Sequence, residues 1–230
     1  MRNKREIKKA FIDSLPVLAG YLVLGMGFGL LLHAKGFGAL WAGGTSMLVY
    51  AGSLQYVATD LIASGAGLLT TAITSLFLNL RHLFYGISMV DKYKGMKCKP
   101  FLIFTLTDET YSLLCEKEPG EDREAAECYY FWVSLFDYSY WIIGSMLGAL
   151  LGEYLPFSTE GLDFSLTALF LTVFTEQWLT TKNHLPAIIG LGASLISLLI
   201  FGADNFLIFA MILIVVALAL LYKKEGKLHD

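Results

Sequence analysis

The sequence predicts an all-α, polytopic membrane protein with six or seven transmembrane helices, and three observations carry that reading. Of its 230 residues, 56% are hydrophobic and only 16% charged, at a mean hydropathy of +0.60, which is too apolar for an ordinary soluble domain. The apolar residues fall in runs of about 18 to 24, the helical length that crosses a hydrocarbon core about 30 Å thick. Basic residues gather outside those runs: Arg2, Lys4, Arg5, Lys8 and Lys9 at the start, Lys92, Lys94, Lys97 and Lys99 in the middle, and Lys223, Lys224 and Lys227 at the end. Such clusters mark cytoplasmic segments. Residues 1–230 read as one integral membrane domain, with a first half over 14–90, a polar connector over 91–128 and a second half over 129–222.

Composition also excludes several classes. A net charge of -3 without a basic face interleaved with aromatics gives no nucleic-acid surface. Cys98, Cys115 and Cys128 are odd in number and widely spaced, so they form neither a disulfide framework nor a zinc set. His33, His82, His184 and His229 lack a second histidine three or four residues away. No metal and no cofactor is expected.

The first span, Leu15 to His33, follows basic residues as a signal peptide would, but it is long enough to cross and lacks a small-residue cleavage site. Tyr21, Gly25, Gly29 and His33 recur at four-residue intervals. That puts two glycines on one face, where helix backbones approach closely in lipid. The second segment, Leu40 to Ala63, is interrupted at Tyr50-Ala51-Gly52-Ser53-Leu54-Gln55. Gly and Ser weaken a helix, and Gln55 is a buried amide in need of partners, so a broken or re-entrant segment is expected near Gln55.

The third segment, Leu68 to Val90, is expected as one helix with a polar stripe of Thr71, Ser75, Asn79, His82 and Gly86 at intervals of three or four. Arg81 lies beside the stripe, deep in the membrane, with Tyr85 one turn on. Burying that charge costs from about 2.5 kcal/mol to more than 10 depending on the measure, so a use is expected for it. After the basic stretch Asp91 to Pro100, the segment Phe101 to Cys115 carries Asp108 and Glu109. It is too short and acidic for a lipid-facing span and is expected to be interfacial or re-entrant. These acids, with Glu176, are candidates to reach Arg81.

Four more apolar segments follow, Tyr129 to Leu151, Leu162 to Thr181, Leu185 to Phe201 and Phe206 to Tyr222. They carry the acids Asp137, Glu176 and Asp204, the last in a turn-like Gly202-Ala203-Asp204-Asn205. A weak internal repeat links the halves: Tyr21-x-x-x-Gly25-x-x-x-Gly29 is echoed by Tyr140-x-x-x-Gly144-x-x-x-Gly148, and Gln55 by Gln177. Repeats of three spans would invert the halves and put Lys92 to Lys99 outside. The basic-loop rule puts it inside, which is met if Leu40 to Ala63 does not cross.

Three stretches carry a resemblance: Tyr50-Ala51-Gly52-Ser53-Leu54-Gln55, Asn79-Leu80-Arg81-His82-Leu83-Phe84-Tyr85-Gly86, and Leu106-Thr107-Asp108-Glu109-Thr110-Tyr111-Ser112-Leu113. In order and spacing they resemble the AzlC family, the large subunit of bacterial branched-chain amino acid exporters. The resemblance implies a multi-pass protein of the bacterial inner membrane that exports leucine-like amino acids together with a small AzlD-type membrane subunit.

On that reading a zwitterion needs a cation for its carboxylate, an acid or carbonyl oxygens for its ammonium and an apolar pocket. Arg81 supplies the first. Gln55, Asn79 or Glu176 supplies the second. His82, whose ordinary pKa is near 6.5, or one of the acids is the candidate to couple a proton. Tyr85, Asp108 and Glu109 complete the candidate site. The competing classes are a passive amino acid channel and an intramembrane enzyme, the latter without any nucleophile–base pair or metal motif.

Overall fold

The computed structural model describes residues 2–115, 123–154 and 181–226, together with positions 167, 171, 174–175 and 178–179. Its backbone separates into two compact units. The first takes residues 1–71 and 78–167, the second 72–77 and 168–230. Among the described residues two helices are long and apolar enough to cross a membrane, Lys4–Ala34 and Leu185–Gly202.

The first unit is built on two long helices, α1 (Arg2–Ala34) and α8 (Arg123–Tyr154). They run in parallel along their whole length. At the end where α1 begins, called the near end, Tyr129 donates to Asp13 at 2.7 Å; at the far end Gly152 lies against His33. Between them the two glycine motifs meet face to face. A Cβ added at Gly25 would sit 3.0 Å from the Ser145 backbone nitrogen, and one at Gly29 would sit 2.5 Å from that of Ala149. One at Gly144 would sit 2.8 Å from the Tyr21 carbonyl oxygen, and one at Gly148 2.6 Å from the Met26 Cα. The repeated Gly-x-x-x-Gly is therefore one interface written twice. Because its two faces run parallel, the echo does not come from inverted halves.

Two short hairpins enter this frame from opposite ends. From the far end, α2 (Ala39–Leu48) descends along α8, where Ser46 donates to Ser145 at 2.9 Å and the Met47 carbonyl accepts from Tyr138 at 2.8 Å. The chain reverses over Val49–Ala51, with Tyr50 at a positive φ of 40°. A non-glycine residue in that region costs about 1–3 kcal/mol. Ring contacts to Tyr138 and Phe104, at 4.8 and 6.4 Å between centroids, hold it there. Then α3 (Gly52–Ala63) climbs back along α1: Tyr56 donates to the Leu24 carbonyl at 2.7 Å, and Asp60 meets Lys35 at 3.2 Å. The interruption expected at residues 50–55 is thus the tip of a hairpin that returns to the end it came from.

The second hairpin comes from the near end. Its first arm, α6 (Lys99–Phe104), starts in the core formed by Ala10, Met89, Tyr93, Met96, Leu102, Leu114 and Tyr129 and reaches Tyr50 and Tyr138 through Phe104. The chain turns at Thr105–Thr107, and α7 (Asp108–Cys115) descends to the same core at Leu114. Lys92 caps its last turn by donating to the Cys115 carbonyl. Tyr93 and Met96 pack with Ala10, so the basic loop Lys92–Lys99 lies at the end that carries Arg2 to Lys9. Orientation by positive charge is satisfied at both places.

Residues 68–90 form two helices, α4 (Leu68–Leu78) and α5 (Leu80–Met89), in place of the single helix expected. The break is one residue wide, at Asn79 (φ -96°, ψ 3°). Asparagine competes with the helical backbone and favours such starts.

The second unit contains α9 (Leu185–Gly226), interrupted at Gly202, whose φ of 72° and ψ of 173° lie outside helical space. Phe201 and Phe209 stack across this joint at 3.8 Å. The two apolar segments expected there are thus two helices meeting at a glycine. The expected segment Leu162 to Thr181 lies largely outside the described residues.

Candidate functional site

The tips of both hairpins converge on the middle of the α1–α8 pair, and each tip begins a helix, α3 at Gly52 and α7 at Asp108. A polar group buried there is costly unless it finds a partner. Arg81, in the first turn of α5, bridges the two tips. Its Nη1 donates to Asp108 Oδ2 at 2.5 Å and its Nη2 donates to the Ser53 hydroxyl. The two charged side chains keep 33% and 27% of their surface uncovered, so the pair is partly covered and not sealed. Arg81 Nε and Asp108 Oδ1 are buried without hydrogen-bond partners.

Glu109 turns the other way, toward α1, and accepts from the Tyr21 hydroxyl at 2.7 Å. Tyr21 and Thr107 hydroxyls lie 2.7 Å apart, Thr107 and Thr110 hydroxyls 3.2 Å apart, and Thr110 donates to Asp137 of α8 at 2.7 Å. Thr107 also caps α7 by accepting the Thr110 backbone N–H at 3.3 Å.

Gln55 is almost fully buried and spent at both ends of its amide. Its Oε1 accepts from Trp141 Nε1 at 2.8 Å and its Nε2 donates to Ser46 at 3.0 Å, which in turn donates to Ser145 at 2.9 Å. This ties the first hairpin to α8 and leaves the amide poorly placed to meet a ligand.

Of the residues singled out in the sequence, Arg81 and Asp108 meet directly, and Glu109 lies next to them on the α7 start. His82 is half-buried with its ring 6.1 Å from that of Tyr85, edge to face, and Tyr85 stacks on Tyr111 at 4.6 Å. Asn79 marks the α4–α5 break and makes no side-chain cap. Glu176 falls outside the described residues. Ser53, Tyr21, Thr107, Thr110 and Asp137 join the site only in three dimensions. The sequence places Tyr21 on a packing face and Asp137 among later acids, and no spacing links either to Glu109.

The family model described as AzlC protein matches residues 16–155 of this chain. Among similar proteins, the branched-chain amino acid transport protein AzlC of Bacillus subtilis is 39% identical over 98% of this chain and 91% of its own length. A membrane protein of Helicobacter pylori, described only as uncharacterized, is 40% identical over 96% of this chain and 98% of its own. The inner membrane protein YgaZ of Escherichia coli is 32% identical over 70% of this chain and 68% of its own. No solved structure matches.

Proposed function

We propose, from the premise that this chain belongs to the AzlC family and is a multi-pass membrane protein, that it is a secondary transporter exporting branched-chain amino acids: leucine, isoleucine, valine and their analogues. It works proton-coupled and with a small AzlD-type membrane subunit. The observation that carries this reading is the pair of unspent atoms where Arg81 bridges the hairpin tips. Arg81 Nε offers one N–H, and Asp108 Oδ1 offers one carboxylate oxygen. On two side chains that already meet, they complement in charge the α-carboxylate and the α-ammonium of a zwitterion. Charge-assisted bonds of this kind are about twice as strong as neutral ones.

The hairpin architecture supports the same reading. Helices that start at mid-depth aim their positive dipole ends inward, and discontinuous segments of this sort build substrate sites in transporters. The aromatic rings of Tyr85 and Tyr111 and the apolar turns of α5 supply surface for an aliphatic side chain.

The test is efflux of radiolabelled leucine from loaded cells expressing the chain with and without a small partner subunit. Arg81→Ala is expected to abolish efflux while the protein remains in the membrane. Normal efflux by that variant removes Arg81 from the mechanism. Efflux that ignores the proton gradient favours a passive channel, and recovery of a chemically altered amino acid revives the enzyme.

A further inference from the structure

The hydroxyl chain between Glu109 and Asp137 contains four links: Glu109–Tyr21, Tyr21–Thr107, Thr107–Thr110 and Thr110–Asp137. Three hydroxyls supply three protons for them. With both carboxylates ionised, one link has no hydrogen. A single added proton on either carboxyl completes the row. Placed on Asp137, it gives Asp137 to Thr110 to Thr107 to Tyr21 to Glu109, each donating to the next. Placed on Glu109, it reverses every bond. Passing from one state to the other breaks four O–H bonds and forms four, and moves one proton between the two carboxyls with no other reactant.

We propose that Asp137 and Glu109, joined through Thr110, Thr107 and Tyr21, form a proton-carrying relay distinct from the Arg81–Asp108 pair. The surroundings point the same way. Asp137 is fully buried, and its Oδ1 has no partner; the buried hydroxyls of Tyr50 and Ser134 also lack one. Ser134 lies one turn before Asp137 on α8, and Tyr50 lies at the hairpin tip facing Tyr21, Thr107 and Asp137. The titratable groups facing Asp137 are Tyr21 of α1, Tyr50, Glu109 of α7, and Tyr129 and Tyr140 of α8. None is a cation, and no ion pair reaches Asp137 among the described residues. An uncompensated carboxylate there is costly, and a proton removes the cost. Glu109, by contrast, faces Tyr21, Tyr50, Tyr85, Asp108 and Arg81. One end of the relay therefore borders the charged pair and the other, on α8, is fully buried, which gives a proton two inequivalent places to reside.

The relay's transport arm rests on the export reading, but its protonation does not, and the experiment separates the two. The full chain is reconstituted in liposomes together with its proposed small AzlD-type subunit and compared with Asp137→Asn, Asp137→Glu and Tyr21→Phe in the same complex. Three signals are read: leucine exchange without a pH gradient, leucine flux driven by a pH gradient, and the carbonyl band of protonated carboxyls in pH-difference infrared spectra. Asp137→Asn is expected to remove a carboxyl band and to lower the ratio of gradient-driven flux to exchange by about 100-fold, the low end of what a positioned proton carrier contributes. Tyr21→Phe, which keeps its ring against Trp141, is expected to lower the same ratio, and Asp137→Glu to restore it. An unchanged band in Asp137→Asn overturns the relay, as does an unchanged flux ratio or an equal loss of both fluxes. Absence of leucine exchange in the unmodified chain overturns the export reading, and the infrared band then decides the relay alone.

Discussion

At the scale of single residues, the Arg81–Asp108 pair is intermediate between a surface and a sealed ion pair. Exposed pairs contribute about 0–1 kcal/mol, whereas removing one partner of a buried pair costs about 3–5. With roughly a third of Arg81 and a quarter of Asp108 uncovered, a coupling of about 1–3 kcal/mol is expected, after discounting for screening. Arg81→Ala and Asp108→Ala should each lower the melting temperature in detergent, and the double variant should be no less stable than the worse single. Additive losses in that cycle would show that the two charges do not depend on one another. The sequence makes Arg81 conspicuous, because a charge inside an apolar run is a local signal. It does not choose among Asp108, Glu109 and Glu176, since that choice depends on how a helix start 27 residues away is aimed.

At the scale of elements, the interface between α1 and α8 sets what the hairpins can reach. Its glycines let two backbones touch, which in lipid substitutes for the missing hydrophobic drive between helices. Gly29→Leu and Gly148→Leu each force a side chain into backbone atoms of the partner helix. Overpacking of this kind costs about 1–3 kcal/mol or more, and both variants should melt earlier or fail to accumulate. Gly20→Ala is the control, since nothing lies within 4 Å of its added Cβ and a helix interior gains up to about 1 kcal/mol from the exchange. Equal behaviour of Gly20→Ala and Gly29→Leu would contradict the packing account. The helix breaks were partly legible for a similar reason. Gly52 and Ser53 are poor helix formers, and their weakness shows locally. The Asn79 break is hidden, because Leu, Ile and Phe on both sides sustain an apolar period through it.

At the scale of the whole molecule, hydropathy counts apolar residues but does not say whether a segment leaves by the end it entered. Residues 40–63 have the length of a span and fold as a hairpin, because Tyr50 reverses the chain and Lys35 holds Asp60 beside the end of α1. The consequence is parity. With the first hairpin returning to the far end, the chain reaches the basic loop Lys92–Lys99 at the end where α1 starts, and α8 sets out again parallel to α1. The internal echo of Tyr-x-x-x-Gly-x-x-x-Gly then reports equivalent packing positions in helices of one direction. Single cysteines test this directly. In a chain lacking Cys98, Cys115 and Cys128, Lys35→Cys and Lys94→Cys stand at the far and near ends. A membrane-impermeant maleimide applied to intact cells should label Lys35→Cys alone, and both should label after lysis. Labelling of Lys94→Cys from outside would reverse the orientation drawn from charge. Labelling of both from outside would mean that residues 40–63 cross, and that the two hairpin tips do not approach Arg81 from opposite sides.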